Sequence, residues 1–152
     1  MTKNIPIAER LIFALDVDTE DQAAEWLARL GELVHFYKVG LQLFLGGWFP
    51  VIELIRKQGH KVMVDLKFFD IPETVELAVR QLKDRGVEFI TVHGNEEILK
   101  AANRTKNGSK ILAVTLLTSF DEVDLHDMGL TCDIEEFVLY RAQKALRLGC
   151  DG

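Results

Sequence analysis

The chain alternates between two hydrophobic rhythms. Short apolar runs occupy Leu11 to Leu15, Leu33 to Val39, Lys61 to Leu66, Glu88 to Val92 and Lys110 to Leu117. Runs of this length suit parallel strands covered on both faces. Between them apolar residues return at helical spacing. Ala23, Trp26, Leu27 and Leu30 line a first helix, which Asp18 or Thr19 can cap and Gly31 stops. A second helix runs from Leu41 to Gln58, with Gly46-Gly47 and Pro50 predicting an irregular start or a break into two pieces. A third covers Pro72 to Arg85 before Gly86, and a fourth covers Glu96 to Arg104. A short helix falls between Ser119 and Asp133. A long one spans Ile134 to Leu148, capped by Gly149.

Strands recurring about every 25 residues with helices between them predict a run of βα units on a parallel sheet. Five complete units are legible. Cys150-Asp151-Gly152 resembles the approach to a sixth strand, by analogy with Gly59-His60-Lys61 and Gly86-Val87-Glu88. No linker or low-complexity stretch interrupts residues 1–152, so a single domain is expected. A closed (β/α)8 barrel needs roughly 200 residues or more, and this chain has 152. The chain therefore stops in mid-pattern, short of a closed barrel. An incomplete sheet would leave the fifth strand as an exposed apolar edge.

Composition narrows the class of protein. Charged residues make up 28% and the hydrophobic set 48%, as in a core-forming globular chain. The net charge of −6 with no basic block argues against nucleic-acid binding. Cys132 and Cys150 stand in no metal-ligand spacing, so no structural zinc is expected and both read as reduced thiols. Met1 to Arg10 lacks a leader-type apolar core, and no stretch approaches the ~18 apolar residues of a membrane span. A cytoplasmic, membrane-free protein is the expectation.

In parallel βα architectures the chemistry gathers at the carboxyl ends of the strands. Here those ends carry Asp16, then Lys38 before Val39-Gly40, then Asp65-Leu66-Lys67-Phe68-Phe69-Asp70, then His93, then Thr115 to Ser119. Taken singly, Asp16, His93 or Ser119 reads equally well as a turn former or cap. Lys38 is less ordinary, because a lysine inside an apolar strand needs a partner or an open cavity. Asp65-x-Lys67 is the sharpest signal. Strand periodicity puts both side chains on one face, and a purely structural buried pair seldom repays its desolvation. With Lys38 and Asp70, two carboxylates and two lysines would meet at one rim. Such an array can hold a lysine protonated as a general acid and set a carboxylate against an anionic substrate. The residues alone point to a lyase or isomerase acting on an anionic substrate.

The stretch Asp65-Leu66-Lys67-Phe68-Phe69-Asp70-Ile71-Pro72-Glu73-Thr74 closely resembles the orotidine 5′-phosphate decarboxylase pattern D-x-K-x-x-D-I-P-x-T. Ala14-Leu15-Asp16, Lys38-Val39-Gly40, Val92-His93-Gly94 and Thr115-Leu116-Leu117-Thr118-Ser119 resemble the family's other strand ends in order and spacing. D-x-K-x-x-D alone is shared with related sugar-phosphate decarboxylases and synthases, while Ile71-Pro72 and Thr74 favour the orotidylate branch. The resemblance implies a (β/α)8 TIM barrel, of which about five units are present. It implies decarboxylation of orotidine 5′-monophosphate to uridine 5′-monophosphate in pyrimidine synthesis, without metal or organic cofactor. Lys67 would protonate C6 and Asp65 would sit beside the departing carboxylate. Lys38 and Asp70 would complete the charge network. Asp16 and Lys38 would contact ribose hydroxyls, Ser119 the pyrimidine, and Thr74 the ribose or phosphate region. Asp70, Ile71 and Thr74 would reach into a partner's site, which implies a homodimer with shared sites. The family's phosphate site follows strands seven and eight, which are not among these five units, so the resemblance implies that the chain is the amino-terminal portion of a longer barrel, three units short. Two alternatives carry other expectations: an inactive fragment that only binds or dimerises, and a related metal-dependent sugar-phosphate lyase.

Overall fold

The computed structural model describes residues 4–152. Among the described residues the elements run β1 (Phe13–Ala14), α1 (Glu20–Leu30), β2 (Phe36–Gly40), α2 (Leu41–Lys57), β3 (Lys61–Phe68), α3 (Pro72–Gln81), β4 (Phe89–His93), α4 (Glu96–Thr105), β5 (Lys110–Val114), α5 (Glu122–Asp127) and α6 (Ile134–Arg147). The strands hydrogen-bond in the order β1-β2-β3-β4-β5. β1 runs parallel to β2 with Ala14 opposite Lys38, and β2 runs parallel to β3 with Gly40 opposite Asp65. Among the described residues, no helix is long and apolar enough to cross a membrane.

By compactness the chain divides into two units. The first runs up to Leu66 and adds Leu82–Ile90 and Asn107–Ser109. Its core holds Leu15, Leu27, Tyr37, Val39, Leu43, Ile52, Ile55, Val62 and Val64, all about fully buried. Removing such side chains from water is the main stabilising term, at about 1.5–3 kcal/mol each. The second holds Lys67–Gln81, Thr91–Lys106 and Lys110–Gly152. In it α3 packs on α4 through Val75, Val79, Ala101 and Ala102, while Glu76 binds Arg80 and Arg104, each at 2.8 Å.

Several elements differ from the apolar pattern. Among the described residues β1 is two residues long and pairs with β2, and Leu11 and Ile12 remain exposed. β2 begins at Phe36: Leu33 and Val34 both donate to the Leu30 carbonyl in a turn after α1, which leaves Leu33 on the surface. α3 stops at Gln81, and Asp84 three residues on takes a left-handed φ of 62° that helix cannot continue through. β5 stops at Val114.

α2 is one continuous helix despite Gly46-Gly47 and Pro50. The glycines serve close approach, since a Cβ on Gly46 would lie 2.2 Å from the Asp18 carbonyl oxygen. Burial of Leu43, Phe44, Val51, Ile52 and Ile55 carries the helix across the missing Pro50 donor.

The expected open edge of β5 is partly occupied. Asp151 N–H donates to the Ile111 carbonyl and Ala113 N–H to the Gly152 carbonyl. The Asp151 carboxylate also accepts from Ile111 N–H at 2.9 Å and from Lys106 at 2.8 Å. Asp151 and Gly152 thus hydrogen-bond along β5, while Cys150 N–H donates back to the Ala145 carbonyl of α6.

Candidate active site

The first unit holds a three-residue charge cluster. Lys38 leaves β2 with its ammonium 3.5 Å from an Asp16 carboxylate oxygen and 3.6 Å from Asp65. The partner expected for a lysine in an apolar strand is therefore a pair of carboxylates. The parallel register explains the meeting: Lys38 lies opposite Ala14, two residues before Asp16, and Asp65 lies opposite the residue two beyond Lys38. Asp65 is the drier end, its side chain 12% exposed against 61% for Asp16. A carboxylate that is largely withdrawn from water needs a cation held near it.

β3 sorts its side chains as the two-residue period demands. Val62, Val64 and Leu66 are buried, and Met63, Asp65 and Lys67 alternate with them as part-exposed positions. Lys67 departs from strand geometry with a left-handed φ of 47°. Its N–H donates to the Thr91 hydroxyl at 2.9 Å.

The remaining residues lie in the second unit. Asp70 accepts from the N–H of Ile71 at 2.7 Å, which folds the loop just before α3. Val75 N–H donating to the Ile71 carbonyl opens the helix, with Pro72 at its first position, where a missing donor costs nothing. Thr74 is exposed one position before buried Val75. Phe69 and Ile71 are 68% and 63% exposed, so the loop presents two apolar side chains beside Asp70. Ser119 stands exposed in a turn closed by Phe120 N–H on the Leu117 carbonyl.

At the end of β4 the His93 ring lies 5.2 Å from the Phe69 ring. Burial, and then the nearby Arg141 charge, hold the His93 pKa below its usual value. Arg141 of α6 donates to the Gly94 carbonyl. Sequence reasoning passed over Thr91 and Arg141. The available signal for Thr91 was a hydroxyl inside the apolar run Phe89-Ile90-Thr91-Val92, because a buried hydroxyl needs a partner. Arg141 gave no comparable signal in its own helix.

Residues 9–152 match the family described as Orotidine 5'-phosphate decarboxylase / HUMPS family. The chain belongs to that family. It is 54% identical over 151 residues to the orotidine 5'-phosphate decarboxylase of Methylococcus capsulatus, covering 99% of this chain and 62% of the relative. It is 45% identical over 146 residues to that of Rhodopseudomonas palustris, covering 95% of this chain and 62% of the relative. The crystal structure of the Lactobacillus acidophilus orotidine 5'-phosphate decarboxylase superposes with a TM-score of 0.86 at 37% identity, over 93% of this chain and 69% of that one. The chain therefore spans about 62% of the length of these curated relatives. Its strand–helix units are those of the family's (β/α)8 TIM barrel, five of them complete.

Proposed function

We propose that the protein containing this chain decarboxylates orotidine 5′-monophosphate to uridine 5′-monophosphate in pyrimidine biosynthesis. The observation that carries the proposal is β3, where Asp65 and Lys67 take alternating part-exposed positions in a chain belonging to this family. Loss of carbon dioxide from the pyrimidine leaves electron density at C6. Lys67 is read as the ammonium that meets this charge and delivers the proton. Preorganised charge of this kind is usually the largest catalytic contribution. Asp65 is read as the carboxylate beside the departing group, with the Lys38 ammonium as its ion-pair partner. That ammonium lies 3.6 Å from Asp65, which supports the role.

Asp16 and Lys38 are assigned to ribose hydroxyls, Ser119 to the pyrimidine and Thr74 to the ribose or phosphate region. Asp70 completes the charge network. No metal or organic cofactor takes part in the reaction as proposed, and the enzyme is cytoplasmic. Asp70, Ile71 and Thr74 are assigned to the partner's site in a homodimer. The exposure of Phe69 and Ile71 beside Asp70 supports that assignment, since apolar side chains at a loop tip are commonly covered by another chain.

The test is loss of the substrate's absorbance in the full-length protein, with and without a chelator. Turnover unaffected by chelation is the expected result. Lys67→Ala should lower kcat by several orders of magnitude with the fold retained. Chelator-sensitive turnover of a sugar phosphate would favour the related lyase instead. Ligand binding without turnover would favour the binding-only alternative.

A further inference from the structure

Lys67 is the second-last residue of β3 and has a φ of 47°, a conformation that costs an L-residue about 1–2 kcal/mol. Strained backbone persists only where its surroundings over-determine it. One visible restraint is the 2.9 Å hydrogen bond from Lys67 N–H to the Thr91 hydroxyl. Thr91 sits on β4 and is 5% exposed, so little water reaches the bond. An amide N–H in such a place must find an acceptor. In a regular strand that acceptor would be a carbonyl and the residue would stay extended. Here a side-chain oxygen takes the role and allows the backbone to turn left-handed. The φ of a residue sets the direction of its Cα–Cβ bond, so the same hydrogen bond sets where the Lys67 side chain departs.

We infer that Thr91 is a positioning residue, whose hydroxyl clamps the left-handed backbone of Lys67 and thereby aims its ammonium. The catalytic consequence rests on the decarboxylase function proposed above; the clamp itself does not.

Thr91→Val keeps the shape and removes the acceptor, whereas Thr91→Ser keeps the acceptor. In the full-length protein Thr91→Val should lower kcat at least about tenfold with KM within about threefold, because a misaimed ammonium is felt in the transition state. Thr91→Ser should stay within about threefold of wild type in both constants. Amide hydrogen exchange should show faster exchange at Lys67 in Thr91→Val and wild-type protection in Thr91→Ser. Wild-type kcat in Thr91→Val would overturn the positioning role. So would equal losses in the two variants accompanied by equal falls in Tm, which a purely structural threonine predicts. An inactive wild type would sink the decarboxylase function and with it the catalytic consequence. The exchange measurement would still decide the clamp, and unchanged exchange at Lys67 in Thr91→Val would refute it.

Discussion

The guanidinium of Arg141, on α6, donates to the carbonyl of Gly94 just past the end of β4. The bond ties a helix to the turn that leads out of a strand. Arg141 is partly buried, and burial lowers its pKa from the usual arginine value. Arg141→Met should cost about 1–3 kcal/mol, the range for a part-buried carbonyl losing a charged donor. It should also let His93 titrate higher, because one cation that opposes imidazole protonation is gone. The midpoint should stay below the ordinary histidine value, since burial is the larger cause. Urea unfolding and the imidazole C–H resonances read the two effects separately. An unmoved His93 midpoint would mean that the Arg141 charge is not felt there.

Gly94 itself has a φ of 124°, and a Cβ there would lie 2.7 Å from Ile98 and 3.1 Å from Phe69. Gly94→Ala is therefore expected to destabilise by more than about 1 kcal/mol, through backbone strain and overlap together. The displaced neighbour most open to solvent is Phe69, so the loop before α3 should show the largest chemical-shift changes. Wild-type stability in Gly94→Ala would show that the turn can relax freely.

Glu96 opens α4 and binds Lys100 at 2.8 Å and Lys144 at 3.0 Å. The hydrogen bond from Lys100, then that from Lys144, hold its pKa at about 2, down from 4.5. A carboxylate with a depressed folded pKa stabilises in full above its unfolded value. That contribution fades as the pH falls from about 4.5 toward about 2. Glu96→Gln should flatten the stability profile across this window, most clearly at low ionic strength. Urea midpoints for the two proteins at about pH 6 and about pH 3 give the comparison. Equal losses in both would rule out these ion pairs as the cause.

Ile71 is 63% exposed at the entry to α3. If this loop docks on a second copy, as the proposed function requires, Ile71→Asp should weaken the dimer at least about tenfold by putting a charge into an apolar contact. Sedimentation equilibrium of the full-length protein measures this directly. A dimer of unchanged strength would remove the loop from the interface.

How much of this was legible in the sequence depended on how local the cause was. The alternation of buried Val62, Val64 and Leu66 with part-exposed Asp65 and Lys67 could be read because strand periodicity is a property of neighbouring residues. Lys38 could be flagged as needing a partner, and its partners were found when the register set Asp16 and Asp65 beside it. Leu11 and Leu33 were misassigned because an apolar run does not say where pairing ends. Gly46 looked like a helix breaker because the Asp18 carbonyl that needs its missing side chain lies in another segment. Thr91 and Arg141 act across gaps of 24 and 47 residues, which no local rhythm encodes.

On the proposed function, the left-handed turn at Lys67 sets folding and chemistry against each other at one position. Glycine is the residue that this backbone would take at least cost. A stability-guided redesign given only the main chain would choose it there. Lys67→Gly should relieve local strain and, on the proposed function, abolish turnover, because the ammonium goes with the side chain. Position 67 is thus a place where selection for a more stable fold and selection for turnover pull toward different amino acids.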